Sequence, residues 1–321
     1  MLTGIIKRFS SVLLCVCILT GCTGGGSSAA ETVEITPPFW TVTDKESGAT
    51  LFLLGSMHVG QEGVVYPDYI LRAYEQCDTV AAEIDTAALN ENTDIINEAA
   101  QYLLLPEGVT AQACFGDSYD ETVDFMSAKG LYSKALDRYI PYYWSSVLSV
   151  EAAQECGLSS EYGTEEYFLS MAHEDGKTIC EIESVAQQYQ MMAEIPMAVQ
   201  VLSVTECVGD ENYDTAVSET KQLYDMWSCF DEERLGGLDY SVYEDIPSDV
   251  YSDHLKFLDM MYLGRQEKMA EAAVEFLQGG EDVFMLVGAA HFYIEDDILT
   301  LLERAGYVPV PVRVDADMQA A

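Results

Sequence analysis

The sequence predicts an α+β (mixed α/β) protein, with a central mixed β-sheet that takes strands from both chain ends and a large helical middle region. Three observations carry this. Two distant stretches, Thr50–Gly60 (TLFLLGSMHVG) and Val283–Phe292 (VFMLVGAAHF), share one design: an apolar run stops at a glycine and a histidine stands three residues further on, Gly55 to His58 and Gly288 to His291. A strand, a helix and a second strand follow one another from about residue 50 to 84, the order of a crossover unit in a partly parallel sheet. From about residue 90 to 280 the apolar spacing is mostly helical, as in a helical insertion between the two ends.

Taken in order, Phe39–Thr43 and Thr50–Leu54 read as strands around Asp44–Gly48, a hairpin. Pro67–Cys77 has helical spacing, with Tyr69, Ile70, Ala73 and Tyr74 on one side. Thr79–Ile84 is a short buried strand with Glu83 and Asp85 at its end. The aromatics of Arg138–Trp144 around Pro141 fit a helix start that packs rings into a core, and equally the wall of a pocket. Gly163–His173 reads as a helix and Lys177–Ile182 as a strand that brings Glu181 and Glu183 to its end. Helices are expected over Ser184–Val208 and Asn212–Phe230, a looser segment over Leu235–Asp245, and a long helical stretch over Ser248–Leu277 interrupted at Gly264. The closing unit is a strand Val283–Val287, the GAAH turn, a helix Ile294–Ala305 stopped by Gly306, and a strand Tyr307–Val312.

At 321 residues, 49% of them hydrophobic, the chain can bury a real core in one large domain or two ordinary ones. Its 55 acidic against 15 basic residues, a net charge of -40, argue against nucleic acid and against a basic patch on anionic lipid. Cations, basic peptides and neutral molecules are the compatible partners, and an acidic surface also simply keeps a protein in solution. The N-terminus resembles a bacterial lipoprotein signal: Lys7 and Arg8, an apolar run Val12–Leu19, then Leu19-Thr20-Gly21-Cys22 and a Gly/Ser-rich stretch. The apolar run is too short to span a bilayer. The expectation is a signal peptide over residues 1–21, lipidation at Cys22, a flexible tether over 22–37 and a single domain over 38–313, lipid-anchored to the membrane and extracytoplasmic. Six cysteines belong to the folded part, Cys77, Cys114, Cys156, Cys180, Cys207 and Cys229, with neither zinc-knuckle nor CxxC spacing. Several lie in helical patterns, where a buried free thiol is ordinary, and no pairing is assigned.

In open α/β sheets, ligands collect beyond the carboxyl ends of the strands. His58, Glu83, Glu183 and His291 all stand at or just after predicted strand ends. Two imidazoles and a carboxylate suit a divalent ion such as Mn(II), Co(II), Fe(II) or Zn(II), with His58 and His291 as ligands and Glu83 as ligand or general base. Gly55 and Gly288 are expected where the chain turns sharply and lets a ligand approach the backbone. The plainer readings are that strand-end histidines are structural and that Glu83 pairs with an arginine such as Arg265. His173 and His254 sit in polar helical surroundings and are expected at the surface. GxSxG, HExxH and phosphate-loop motifs are absent.

At these residues the sequence resembles the TraB/PrgY/GumN family, which shares a clan with the TIKI-type proteases. Gly55, His58, Glu83, Gly288 and His291 match its two GxxH blocks and intervening glutamate. Pro141, Gly163, Gly176 with Lys177, Glu183 with Gln188, and Arg265 with Met269 are similar to its middle blocks. Gln266 stands where asparagine is usual, Glu165 where aspartate is common, and Ile294–Asp297 replaces a glycine-rich segment. The resemblance, over roughly residues 38 to 313, implies a metal-dependent hydrolase with peptides as the favoured substrates and small molecules as the other class. In that reading His58, His291 and Glu83 form the catalytic and metal site, and Arg265 and Glu183 contact substrate or brace the site. The alternative is a surface lipoprotein that sequesters a peptide or other ligand without turnover.

Overall fold

The computed structural model describes residues 32–91, 93–238 and 246–313; the signal segment, Cys22 and most of the tether lie outside these residues. Six strands form the central sheet: β1 (Phe39–Thr43), β2 (Thr50–Ser56), β3 (Thr79–Ala82), β4 (Thr178–Glu181), β5 (Val283–Gly288) and β6 (Val310–Pro311). Their order is β6-β1-β2-β5-β3-β4. The pairs β6-β1 and β1-β2 are antiparallel, whereas β2-β5, β5-β3 and β3-β4 are parallel, so the sheet is mixed and interleaves the two chain ends.

Both faces of the central strands are covered, which is why they read as unbroken apolar runs rather than as alternating ones. One face carries Phe52, Leu54, Val80, Phe284 and Leu286 against α1 (Asp68–Gln76) and α2 (Thr164–Asp175). The other carries Leu51, Leu53, Ala81, Met285 and Val287 against α3 (Gly264–Gly279) and α4 (Ile298–Arg304). Adjacent residues in each strand thus serve opposite layers, as the two-residue period of a strand requires. The helical middle builds two further cores. One gathers Trp144, Leu148, Phe115 and Tyr213. The other gathers Ile84, Val185, Tyr189, Met261 and Tyr262, residues that follow or cover the carboxyl ends of the strands. The Arg138–Trp144 aromatics pack mainly as core, with Tyr142 and Trp144 buried and Pro141 opening a helix.

Several boundaries differ from the sequence reading. Val33–Glu34 pairs with Val64–Val65 and Ile35 is buried, so ordered structure begins inside the expected tether. Gly264 does not interrupt its helix; the irregularity is a π-helical turn at Asp259–Leu263 that runs directly into α3. The last helix starts only at Ile298, because Asp297 caps it through Thr300 N. Leu235–Asp245 is partly helical, Glu232–Gly236 forming a short helix, and residues 239–245 lie outside those described. All six cysteines of the folded part are free. Among the described residues no helix is long and apolar enough to cross a membrane.

His254 is the clearest correction: it is buried in the helix Tyr251–Leu258 beside Phe257, because its polar neighbours in sequence occupy the other side of that helix. Burial pushes its pKa down to about 4 from the ordinary 6.5. The unfolded chain therefore takes the proton first as pH falls, and stability is lost as pH drops below 6.5 towards 4. We expect this site to cost about 2 kcal/mol between pH 7 and pH 5. Urea midpoints at the two pH values check it, with a shallower pH slope in His254→Phe.

Candidate active site at the carboxyl end of the parallel strands

The four parallel strands end together. Ser56 of β2 pairs with Gly288 of β5, Leu286 of β5 with Ala82 of β3, and Ala82 with Glu181 of β4. Backbone pairing continues one residue beyond β3 and two beyond β4, through Ile182 N to Ala82 O and Glu183 N to Glu83 O at 2.9 and 2.8 Å, and so lays Glu83 beside Glu183. All four expected residues, His58, Glu83, Glu183 and His291, thus emerge at one edge of the sheet.

A buried ion network fills the half of this edge beneath β3, β4 and β5. Arg265, the second residue of α3, is the one buried Lys or Arg among the described residues. Its Nε donates to Glu183 Oε1 at 2.7 Å and its Nη2 to Glu183 Oε2 at 2.7 Å, while Nη2 also donates to Glu83 Oε2. Gln188 donates to both carboxylates, at 3.3 Å to Glu83 and 2.9 Å to Glu183. The second oxygen of Glu83 accepts the amide of Gly288 at 2.8 Å. Burial alone would raise the Glu83 pKa, but Arg265, the nearby rings and the Gly288 amide outweigh it and hold the carboxyl at about 2. Of the two roles open to Glu83, pairing with Arg265 is therefore present in the fold; three of its roughly four acceptor positions are used and one on Oε1 remains.

His291 lies in the short 3-10 turn Ala289–Phe292, fully buried, with Tyr262 5.6 Å away centre to centre. Neither Nδ1 nor Nε2 has a hydrogen-bond partner among the described residues. Burial and the Arg265 charge push its pKa down to about 3, so the ring is neutral with a lone pair available. Gln266 supports its backbone, donating to the His291 carbonyl at 3.5 Å. His58 follows β2 by two residues and is close enough to couple electrostatically to both Glu83 and His291. Its Nδ1 stands 3.0 Å from Glu165 Oε1, and Ser56 Oγ donates to that same oxygen.

The motif glycines serve closeness rather than turning. Neither Gly55 nor Gly288 has a left-handed φ, because each still lies in an extended strand, Gly55 one residue before its end and Gly288 at it; Gly288 has φ -49°. A Cβ on Gly288 would stand 3.2 Å from Glu83 Oε1, so the bare α-carbon is what lets the carboxylate reach its amide. His173 is at the surface as expected, bonded to Asp85 at 2.8 Å. Sequence reasoning passed over Glu165 as a site residue, since an acid in the first turn of a helix is ordinary and carries no signal of its own.

The donor chemistry suits a divalent cation: two imidazoles, one of them buried with neither nitrogen partnered among the described residues, and a charged carboxylate nearby. Among the described residues, however, no group of three or more His, Cys, Asp or Glu side chains stands as a ready-made cluster. The fit is thus to an ion held by two histidines, with other positions left to Glu83, water or substrate.

Comparison with known proteins gives one match. The model of the TraB/PrgY/gumN family matches residues 38–311. No curated protein and no solved structure matches the chain.

Proposed function

The chain belongs to the TraB/PrgY/gumN family, and from that premise we propose that it is a metal-dependent hydrolase of peptides, working outside the cytoplasm on a lipid anchor at Cys22. The observation that carries the reading is His291: a neutral, buried ring with no partner for either nitrogen among the described residues is costly unless something else binds there. The compartment rests on the lipoprotein-like N-terminus.

His58 and His291 would hold the ion, with the remaining acceptor position of Glu83 as third donor. A divalent ion, Mn(II), Co(II), Fe(II) or Zn(II), would supply an acidified water and a Lewis acid for the scissile carbonyl. The side chains divide the rest. Arg265 keeps Glu83 charged and ties it to Glu183, Glu83 fixes the Gly288 amide at the start of the His291 turn, and the low pKa of Glu83 makes it a fixed negative charge rather than a proton acceptor.

Metal analysis of purified protein should find a divalent ion in the wild type and none in His58→Ala or His291→Ala; wild-type content in both variants would overturn the site. Mass spectrometry of a peptide library should show cleavage by wild type and a fall to background in His58→Ala. Retention of intact peptide by both proteins would instead identify a sequestering lipoprotein.

A further inference from the structure

We infer that Glu165 is the positioning residue of His58, setting which ring nitrogen of that histidine is presented to ligand and substrate. The inference rests on the reading of His58 as a site residue and adds to it the group that prepares its ring.

Glu165 is the second residue of α2 and is buried, at 8% exposure. Its Oε1 faces His58 Nδ1 at 3.0 Å and accepts from Ser56 Oγ at 2.5 Å, while Oε2 is buried with no partner among the described residues. A carboxylate only accepts, so a neutral imidazole can bond it only through a protonated Nδ1. That leaves the lone pair on Nε2, the tautomer suited to ligating an ion or accepting a proton. The Ser56 hydroxyl orients the acceptor oxygen, and the positive end of α2 favours its charge.

An ordinary structural ion pair would tie the His58 loop to α2. That tie already exists without the carboxylate. Thr164 N donates to Met57 O at 2.9 Å, Met57 N donates to Thr164 Oγ1 at 3.1 Å, and Tyr66 OH bonds the same hydroxyl at 3.1 Å. Gly163 packs so tightly on the loop that a Cβ there would lie 2.5 Å from the His58 carbonyl oxygen. The loop backbone is therefore held on its own. What Glu165 adds is a bond to the ring.

The experiment is nitrogen-15 NMR of the imidazole rings in metal-free protein, followed by calorimetric titration with Zn(II). With four histidines in the whole chain, the His58 ring is assigned by comparison with His58→Ala. In the wild type the His58 proton should reside on Nδ1. In Glu165→Leu it should redistribute between the two nitrogens, and Zn(II) affinity should fall about 10- to 100-fold, as when a partner behind a metal-bound histidine is removed. Glu165→Gln, whose amide oxygen can still accept, should keep the Nδ1–H form. Glu165→Ala repeats the truncation with less bulk should Glu165→Leu fail to fold. A folded truncation that keeps the wild-type tautomer overturns the inference, as does a wild-type ring protonated on Nε2. A wild type that shows the tautomer change on truncation but binds no Zn(II) would remove the metal reading and leave this assignment standing.

Discussion

Replacing Arg265 by methionine is expected to destabilise the protein by about 3–5 kcal/mol at pH 7, the usual cost of taking one partner from a buried ion network. The substitution keeps an unbranched chain in the buried site but leaves Glu83 and Glu183 side by side without the Arg265 cation, joined among the described residues to Gln188 and the Gly288 amide. Two carboxylates sharing one buried site cannot both stay charged, so at least one pKa rises above the ordinary 4.5. The sign of the pH dependence then reverses. In the wild type, Glu83 with its pKa held near 2 contributes stability that is fully present above 4.5 and lost as pH falls towards 2. In Arg265→Met, a carboxyl with a raised pKa costs stability as pH climbs above 4.5. The stability gap between the two proteins should therefore narrow from pH 7 to pH 5, as read by urea unfolding at both values. His291, whose pKa the Arg265 charge helps to lower, shifts upward in the variant and loses less stability on acidification, which narrows the gap in the same direction. A gap that widens on acidification would sink the account, and Glu83→Gln with Glu183→Gln in the Arg265→Met background should recover part of the loss.

The second large effect is expected at the glycines that seat α2 on the His58 loop. A Cβ on Gly60 would lie 1.8 Å from the carbonyl oxygen of Tyr162, a backbone atom that cannot swing aside. Gly60→Ala should therefore part the short ladder in which Gly60 pairs with Ser159 and cost about 3 kcal/mol or more. Gly163→Ala meets the His58 carbonyl at 2.5 Å and should cost about 1–3 kcal/mol, since its φ of -66° suits any residue and only space is at issue. Because it pushes on His58 itself, Gly163→Ala should also weaken Zn(II) binding, whereas Gly48→Ala, with a φ of +81° but nothing within 4 Å, should lose stability alone. Thermal melts and calorimetry separate the two effects. Equal Zn(II) affinity in wild type and Gly163→Ala would show that the loop yields without moving the ring.

Both expectations concern contacts between residues far apart in the chain. Arg265 reaches Glu83 across 182 positions, and Glu165 reaches Ser56 across 109. Nothing in the local spelling of either segment marks the partner. Arg265 opens a helix with the surface-like run Arg-Gln-Glu-Lys, yet Arg265 and Gln266 face the sheet edge and are buried. His254 shows the same limit, since three polar neighbours give no hint of which side of its helix meets the core.

By itself the sequence determined the sheet and the strand ends that carry the four candidate residues. The unbroken apolar runs of β2, β3 and β5 specify strands covered on both faces, and the three pair in parallel with their carboxyl ends at one edge. His58, Glu83, Glu183 and His291 then have to emerge together, because each follows a strand end by no more than three residues. Only the tertiary structure decided what each of them does there. Whether a carboxylate is a charge anchor or a base depends on which cation and amides surround it, and which nitrogen of a histidine is presented depends on the acceptor behind it. Those partners come from α2 and α3, helices whose faces are chosen by packing on the sheet, a long-range choice that no short window of residues records.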